Sequence, residues 1–117
     1  MLKHDVLRRK EDFDRIYRKG KSVGDRYVVV FCLKNDTDKN RIAFLASKKV
    51  GNSVERNRAR RLMRESVRLS DIDVHQGYDF IMIARNTING KKCADVKKSI
   101  EAALKRLKVT EKKKVKD

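Results

Sequence analysis

The chain has no proline and no tryptophan, and only two cysteines, two histidines and five glycines among 117 residues. The lack of proline by itself excludes no fold. The shortage of cysteine and histidine excludes more: Cys32, Cys93, His4 and His75 share no Cys-x-x-Cys or related ligand spacing, so a structural zinc site is not expected. Two cysteines in a chain without an export signal do not make a disulfide framework. No apolar run approaches the ~18 residues of a membrane span. The longest, residues 27–33, has the length of a strand. The first ten residues lack the apolar segment of a secretion signal, so the protein is expected to stay in the cytoplasm where it is made.

Acidic residues are also scarce. Asp and Glu total 16 against 32 Lys and Arg, a formal net charge of +16. A folded surface with that field attracts polyanions, either nucleic acid or an anionic membrane. With 41% charged residues the chain could be disordered, but 39% are apolar and fall in periodic blocks, which supports one packed domain.

Residues 11–19 place Phe13, Ile16 and Tyr17 at i, i+3 and i+4, and Gly20 follows as a C′ residue, the pattern of a short amphipathic helix. Residues 26–34 are β-branched and aromatic on alternate positions and read as a strand covered on both faces. A polar loop, 35–40, leads to a second strand at 42–47, and the spacing predicts a hairpin. Asn52 and Glu55 form a capping-box pattern that opens a helix running to about Leu69. A third strand at 78–84 and a closing helix at 95–107, with Val96, Ile100, Ala103, Leu104 and Leu107 in register, complete an α-β-β-α-β-α order. That order indicates an α+β sandwich with a small sheet. The expected organisation is one RNA-binding domain, 1–109, with a disordered basic tail at 110–117.

The central helix carries the functional argument. At ~100° per residue, Ala59, Leu62, Met63, Ser66 and Val67 share the face that packs on the sheet. Asn57, Arg61, Arg64 and Arg68 fall in one stripe opposite, bordered by Arg60, with Arg56 and Arg58 at the helix start. Solvated helices mix signs for i, i+4 pairing, whereas this stripe has no acid and Glu55 and Glu65 lie off it. The guanidinium fork suits phosphate and base stacking, which points to RNA, and Asn57 can both donate and accept. Lys48, Lys49 and Asn52 add charge and polar groups where helix N–H groups point outward. DNA is not expected as a partner, since no helix-turn-helix or finger pattern flanks the helix. A protein nuclease would need clustered carboxylates or a histidine acid/base, and the acids here are scattered. A membrane-surface helix would need an exposed apolar face, whereas Leu62, Met63 and Val67 are needed for the core.

The block at residues 46–65, Ala-Ser-Lys-Lys-Val-Gly-Asn-Ser-Val-Glu-Arg-Asn-Arg-Ala-Arg-Arg-Leu-Met-Arg-Glu, strongly resembles the signature of bacterial ribonuclease P protein subunits. Arg56-Asn57-Arg58 matches the RNR core of that family. The Asp12-Phe13 helix ahead of Gly20-Lys21-Ser22, and Tyr78-Asp79-Phe80-Ile81 with Ala84-Arg85, are similar as well. The resemblance implies a fold like the second domain of ribosomal protein S5, with an uncommon left-handed β-α-β crossover. It implies a cofactor for an RNA enzyme that removes the 5′ leader from precursor tRNA, with magnesium bound chiefly by the catalytic RNA and no catalytic residue in the protein. By the same resemblance Arg56, Asn57, Arg58, Arg61 and Arg64 contact the catalytic RNA, with Lys48 and Lys49 adjoining, and the stripe and helix start add Asn52, Arg60 and Arg68 as candidates. Phe13, Tyr17, Tyr27 and Phe31 would hold the precursor-tRNA leader. Residues at i and i+4 on an apolar face also build cores, so from the residues alone Phe13 and Tyr17 fit either role. A ribosomal or general RNA-binding protein would explain the charge equally well, though not the whole RNR block.

Overall fold

In the computed structural model, which describes residues 3–111, the chain runs β1 (Asp5–Val6), α1 (Lys10–Lys19), β2 (Lys21–Gly24), β3 (Val28–Lys34), β4 (Arg41–Leu45), α2 (Ser53–Leu69), β5 (Tyr78–Ala84), a 3-10 turn (Asn86–Ile88) and α3 (Cys93–Arg106). The three helices and three longer strands coincide with the periodic segments of the sequence. Among the described residues, β1 and β2 are additions that periodicity does not signal. They are two and four residues long, mostly exposed, and exist because they pair with a neighbour: β1 runs parallel to β4 and β2 antiparallel to β3.

The sheet order is β1-β4-β5-β3-β2, so the expected hairpin of β3 and β4 does not form. β5 lies between them, antiparallel to β3 and parallel to β4. The physical reason is burial. Asp79 to Met82 of β5 are fully enclosed, which only a central strand allows. The polar loop that looked like a hairpin turn instead spans the start of β5. Asn35 N–H donates to the Gly77 carbonyl at 2.9 Å, and the Tyr78 N–H donates to Asn40 Oδ1 at 2.8 Å.

The two faces of the sheet are unequally covered. Val28, Val30, Cys32, Ile42, Phe80 and Met82 face α2 and α3 and form the main core. On the other face α1 buries Ile16 against Leu7, Ala43 and Ile81, while Phe13, Phe31, Leu33, Leu45 and Ile83 are only half-buried. β3 is therefore sealed on one side and not, as its composition suggested, on both. Gly20 ends α1 in an extended conformation (φ −76°) rather than the left-handed one expected of a C′ glycine. It is required for another reason: a Cβ there would sit 2.5 Å from the Ile16 carbonyl oxygen and 2.7 Å from that of Cys32. Thr110 and Glu111, assigned to the tail by composition, are paired. Thr110 bridges Val74, and the Glu111 N–H donates to the Asp73 carbonyl at 2.9 Å, while residues 112–117 lie outside the described part.

Candidate nucleic-acid interface

The capping box of α2 is complete. Glu55 N–H donates to Asn52 Oδ1 at 2.9 Å, and Asn52 N–H donates to Glu55 Oε1 at 3.1 Å. The helix start is thus fixed, and two of the proposed contacts change character. The Asn52 carbonyl is occupied by the cap, leaving only its NH2 group for a ligand, and the Glu55 carboxylate stands where a phosphate would otherwise meet free N–H groups. Gly51 allows this, at φ +146° with the Glu55 carboxylate where a Cβ would be. Asn89 Nδ2 donates to the Val50 carbonyl at 2.6 Å and Arg58 to that of Lys91 at 3.3 Å, which braces the helix start against the turn after β5.

Ala59, Met63, Ser66 and Val67 are buried and Leu62 half-buried, so the arginine face points to solvent as its spacing requires. Its members are not equivalent. Arg60 donates to Asn57 Oδ1 and lies 3.5 Å from the Ala46 carbonyl. Arg56 donates to Ser53 Oγ at 3.1 Å, and its Nε is buried without a partner. Arg64 lies 5.6 Å over the Phe44 ring, held by a cation–π contact that leaves its N–H groups free. The Arg61, Lys48 and Lys49 side chains are exposed and make no hydrogen bond or ion pair among the described residues. Arg68 is paired within the helix: both ends of its fork meet Glu65, one turn earlier, so an acid from beside the stripe reaches its far end. Replacing Arg61 and Arg64 together by Ala is expected to lower the slope of log affinity against log salt for RNA by about 1.5, as roughly two phosphate contacts are lost. Arg68→Ala should leave that slope unchanged within error. Equal effects of the two variants, read from binding titrations across salt concentrations, would refute this division of the stripe.

On the opposite face of the sheet, α1 and the half-covered strands bring aromatic side chains together. Tyr17 is 44% exposed and meets Phe31 edge-to-face at 5.0 Å, and Phe13 lies 6.5 Å from Tyr17. Burial pushes the Tyr17 phenol above its ordinary pKa, so it remains a neutral donor. Tyr27 is not part of this group. It precedes β3, packs on the main core, and carries Lys91 at 5.6 Å over its ring. Alternation along β3 would place it beside Phe31, but the strand starts only at Val28 and the chain turns before it.

An ion network that sequence reading missed fixes α1 over these side chains. Asp79, fully buried on β5, accepts from Arg41 Nε at 2.7 Å and Nη2 at 2.6 Å, from Arg15 at 2.9 Å and from Asn35 at 2.9 Å. Asp12 of α1 accepts from Arg15 at 3.1 Å and Arg41 at 3.2 Å. No motif announces this set, because its members lie far apart in the chain, Arg15 and Asp79 by 64 residues. Burial alone would raise the Asp79 pKa, but the hydrogen bonds from Arg41 and Asn35, with the Arg41 charge and the Arg15 bond, outweigh it and hold the carboxyl below its ordinary value. A carboxyl depressed in the folded state stabilises fully above its unfolded pKa, about 4, and that contribution is lost as pH falls through the lower folded value. Unfolding free energy should therefore drop below about pH 4, with a shallower drop in Asp79→Asn. Identical acid limbs for the two proteins would refute the assignment.

The α+β domain thus carries an arginine face on one side of its sheet and a half-covered group of aromatic side chains on the other. The family model described as Ribonuclease P matches residues 1–108. The ribonuclease P protein component of Pelotomaculum thermopropionicum is 43% identical over 105 residues, covering 90% of this chain and 94% of that protein. The solved structure of the Staphylococcus aureus RNase P protein aligns with TM-score 0.77 and 37% identity over 93% of this chain and all of that one. The RNase P protein from Thermotoga maritima aligns with TM-score 0.77 and 29% identity over 88% and 97% of the two chains. The chain belongs to the ribonuclease P protein family.

Proposed function

We infer that this chain is the protein subunit of bacterial ribonuclease P, assisting RNA-catalysed removal of the 5′ leader from precursor tRNA. The observation that carries the reading is the pairing of two surfaces on one small domain. The α2 face, with Arg56, Asn57, Arg58, Arg60, Arg61 and Arg64 and the adjoining Lys48 and Lys49, takes the phosphates of the catalytic RNA. The aromatic group of Phe13, Tyr17 and Phe31 takes unpaired leader bases, which stack without demanding a particular sequence. The domain comparison with ribosomal protein S5, and a left-handed hand for the parallel β4-α2-β5 unit, belong to this same proposal, as does a cytoplasmic site of action.

Magnesium at the cleavage centre is assigned to the RNA. Among the described residues no group of three or more His, Cys, Asp or Glu side chains is placed to hold a metal ion. The carboxylates nearest the arginine face are already engaged, Glu55 in the helix cap and Glu65 with Arg68. Magnesium is left to the phosphates of the RNA, which are the oxygen ligands that ion prefers. The reading is tested by incubating purified protein, treated to remove contaminating RNA, with precursor tRNA. No cleavage is expected until a ribonuclease P RNA is added, and cleavage by the protein alone would overturn the assignment of chemistry to the RNA.

A further inference from the structure

Arg64 stands apart from the other arginines of α2 in how it is held. Arg56 donates to Ser53, Arg58 to the Lys91 carbonyl, Arg60 to Asn57 and Arg68 to Glu65, so each spends part of its fork on the protein. Arg61 spends nothing, but among the described residues no hydrogen bond, ion pair or ring contact holds its guanidinium either. Arg64 combines the two properties. Its guanidinium carbon lies 5.6 Å from the centroid of the Phe44 ring, and its N–H donors are unused among the described residues.

The ring under Arg64 is itself held. Phe44 lies on β4, opposite Met82 of β5 in the register, and packs half-buried against the main core. It also meets the His4 ring edge-to-face, with centroids 5.9 Å apart and an interplanar angle of 75°. The parallel pairing of the adjoining β1 with β4 brings His4 there. An aliphatic side chain would fill the same half-buried place and serve the core, but it offers a guanidinium no π face. An arginine on an exposed helix face otherwise samples many rotamers, and fixing one of them on binding costs affinity. Over the ring the charge is aimed in advance, and the N–H donors stay available for a phosphate.

We propose that Phe44 is a positioning residue for RNA binding: it holds the Arg64 guanidinium in the orientation that meets a phosphate of the catalytic RNA, and so raises affinity through Arg64. This rests on the assignment of the α2 face to the catalytic RNA. The ring contact is kept in the complex, with Phe44 on the face of the guanidinium and the phosphate at its N–H edge. A ring that sequestered Arg64 would act in the opposite sense, and its loss would tighten binding.

The test is a double-mutant cycle with the full chain and a bacterial ribonuclease P RNA, read as dissociation constants across salt concentrations. Phe44→Leu, which keeps apolar bulk on β4, weakens binding about threefold, the size of an exposed cation–π contact. It leaves the slope of log affinity against log salt unchanged, because the charge of Arg64 remains. Arg64→Ala weakens binding and lowers that slope by about 0.8, one phosphate contact. In the Arg64→Ala background Phe44→Leu has no further effect. A purely structural role for Phe44 gives the same loss in both backgrounds. That result, or unchanged or tighter binding by Phe44→Leu alone, would overturn the proposal. Arg64→Ala separates the two failures. If it weakens binding while Phe44→Leu does not, only this inference falls, and if it changes neither affinity nor slope, the assignment of Arg64 to the RNA falls with it.

Discussion

Asp79→Ala is expected to lower the unfolding free energy by about 2–4 kcal/mol, the loss of a buried carboxylate's charge-assisted hydrogen bonds. Against the roughly 5–15 kcal/mol of an ordinary domain this is a large fraction, so the variant should be marginally folded at 37 °C. The size follows from geometry: a fully enclosed carboxylate receives four donors from Arg41, Arg15 and Asn35, and removing it leaves both guanidinium groups with Asp12 as their carboxylate partner. Because Arg15 lies on α1, the same change removes one of the ties holding the helix that carries Phe13 and Tyr17, leaving the Asp12–Arg41 pair. At a temperature where the variant is folded, preference for leader-bearing over mature tRNA should fall while affinity for the catalytic RNA through α2 stays. Urea unfolding gives the first quantity. A loss below about 1 kcal/mol, the value of an exposed pair, would contradict the account.

Tyr17→Ala should weaken binding of leader-bearing precursor by about 1–2 kcal/mol, up to roughly thirtyfold, with little change for mature tRNA. Tyr17 suits this test better than Phe13. Tyr17 is 44% exposed, whereas Phe13 is half-buried in the cluster around Ile16, and its removal mixes stability with binding. Tyr17→Phe should retain most of the affinity, since stacking uses the ring face and not the hydroxyl. Equal weakening for precursor and mature tRNA, in a variant with unchanged unfolding, would assign Tyr17 to the core instead.

The helices and the three long strands were legible because each has a period that its own residues declare. Asn52 with Glu55, and Ala59, Met63 and Val67 on one stripe, specify α2 almost to its ends. Pairing is not written locally, so β5 inserting between β3 and β4 was invisible, as were β1 and β2, which exist only through their neighbours. The arginine face was readable for the same reason as the helix. Its finer structure was not: whether Glu65 reaches Arg68 depends on rotamers, and a three-residue offset only permits it. Tyr27 was misplaced by extending an alternation one residue past the strand. The Asp79 network escaped altogether, since long-range ion pairs leave no spacing signal.

The central claim is that this domain serves a catalytic RNA. The most direct measurement is cleavage of a leader-bearing precursor tRNA by a bacterial ribonuclease P RNA at low magnesium, with and without the protein. The account predicts strong stimulation with the correct 5′ end of the mature tRNA, reduced by Arg61→Ala with Arg64→Ala through RNA affinity and by Tyr17→Ala through the substrate. No stimulation, with tight and salt-dependent RNA binding intact, would contradict it and leave a general RNA-binding protein.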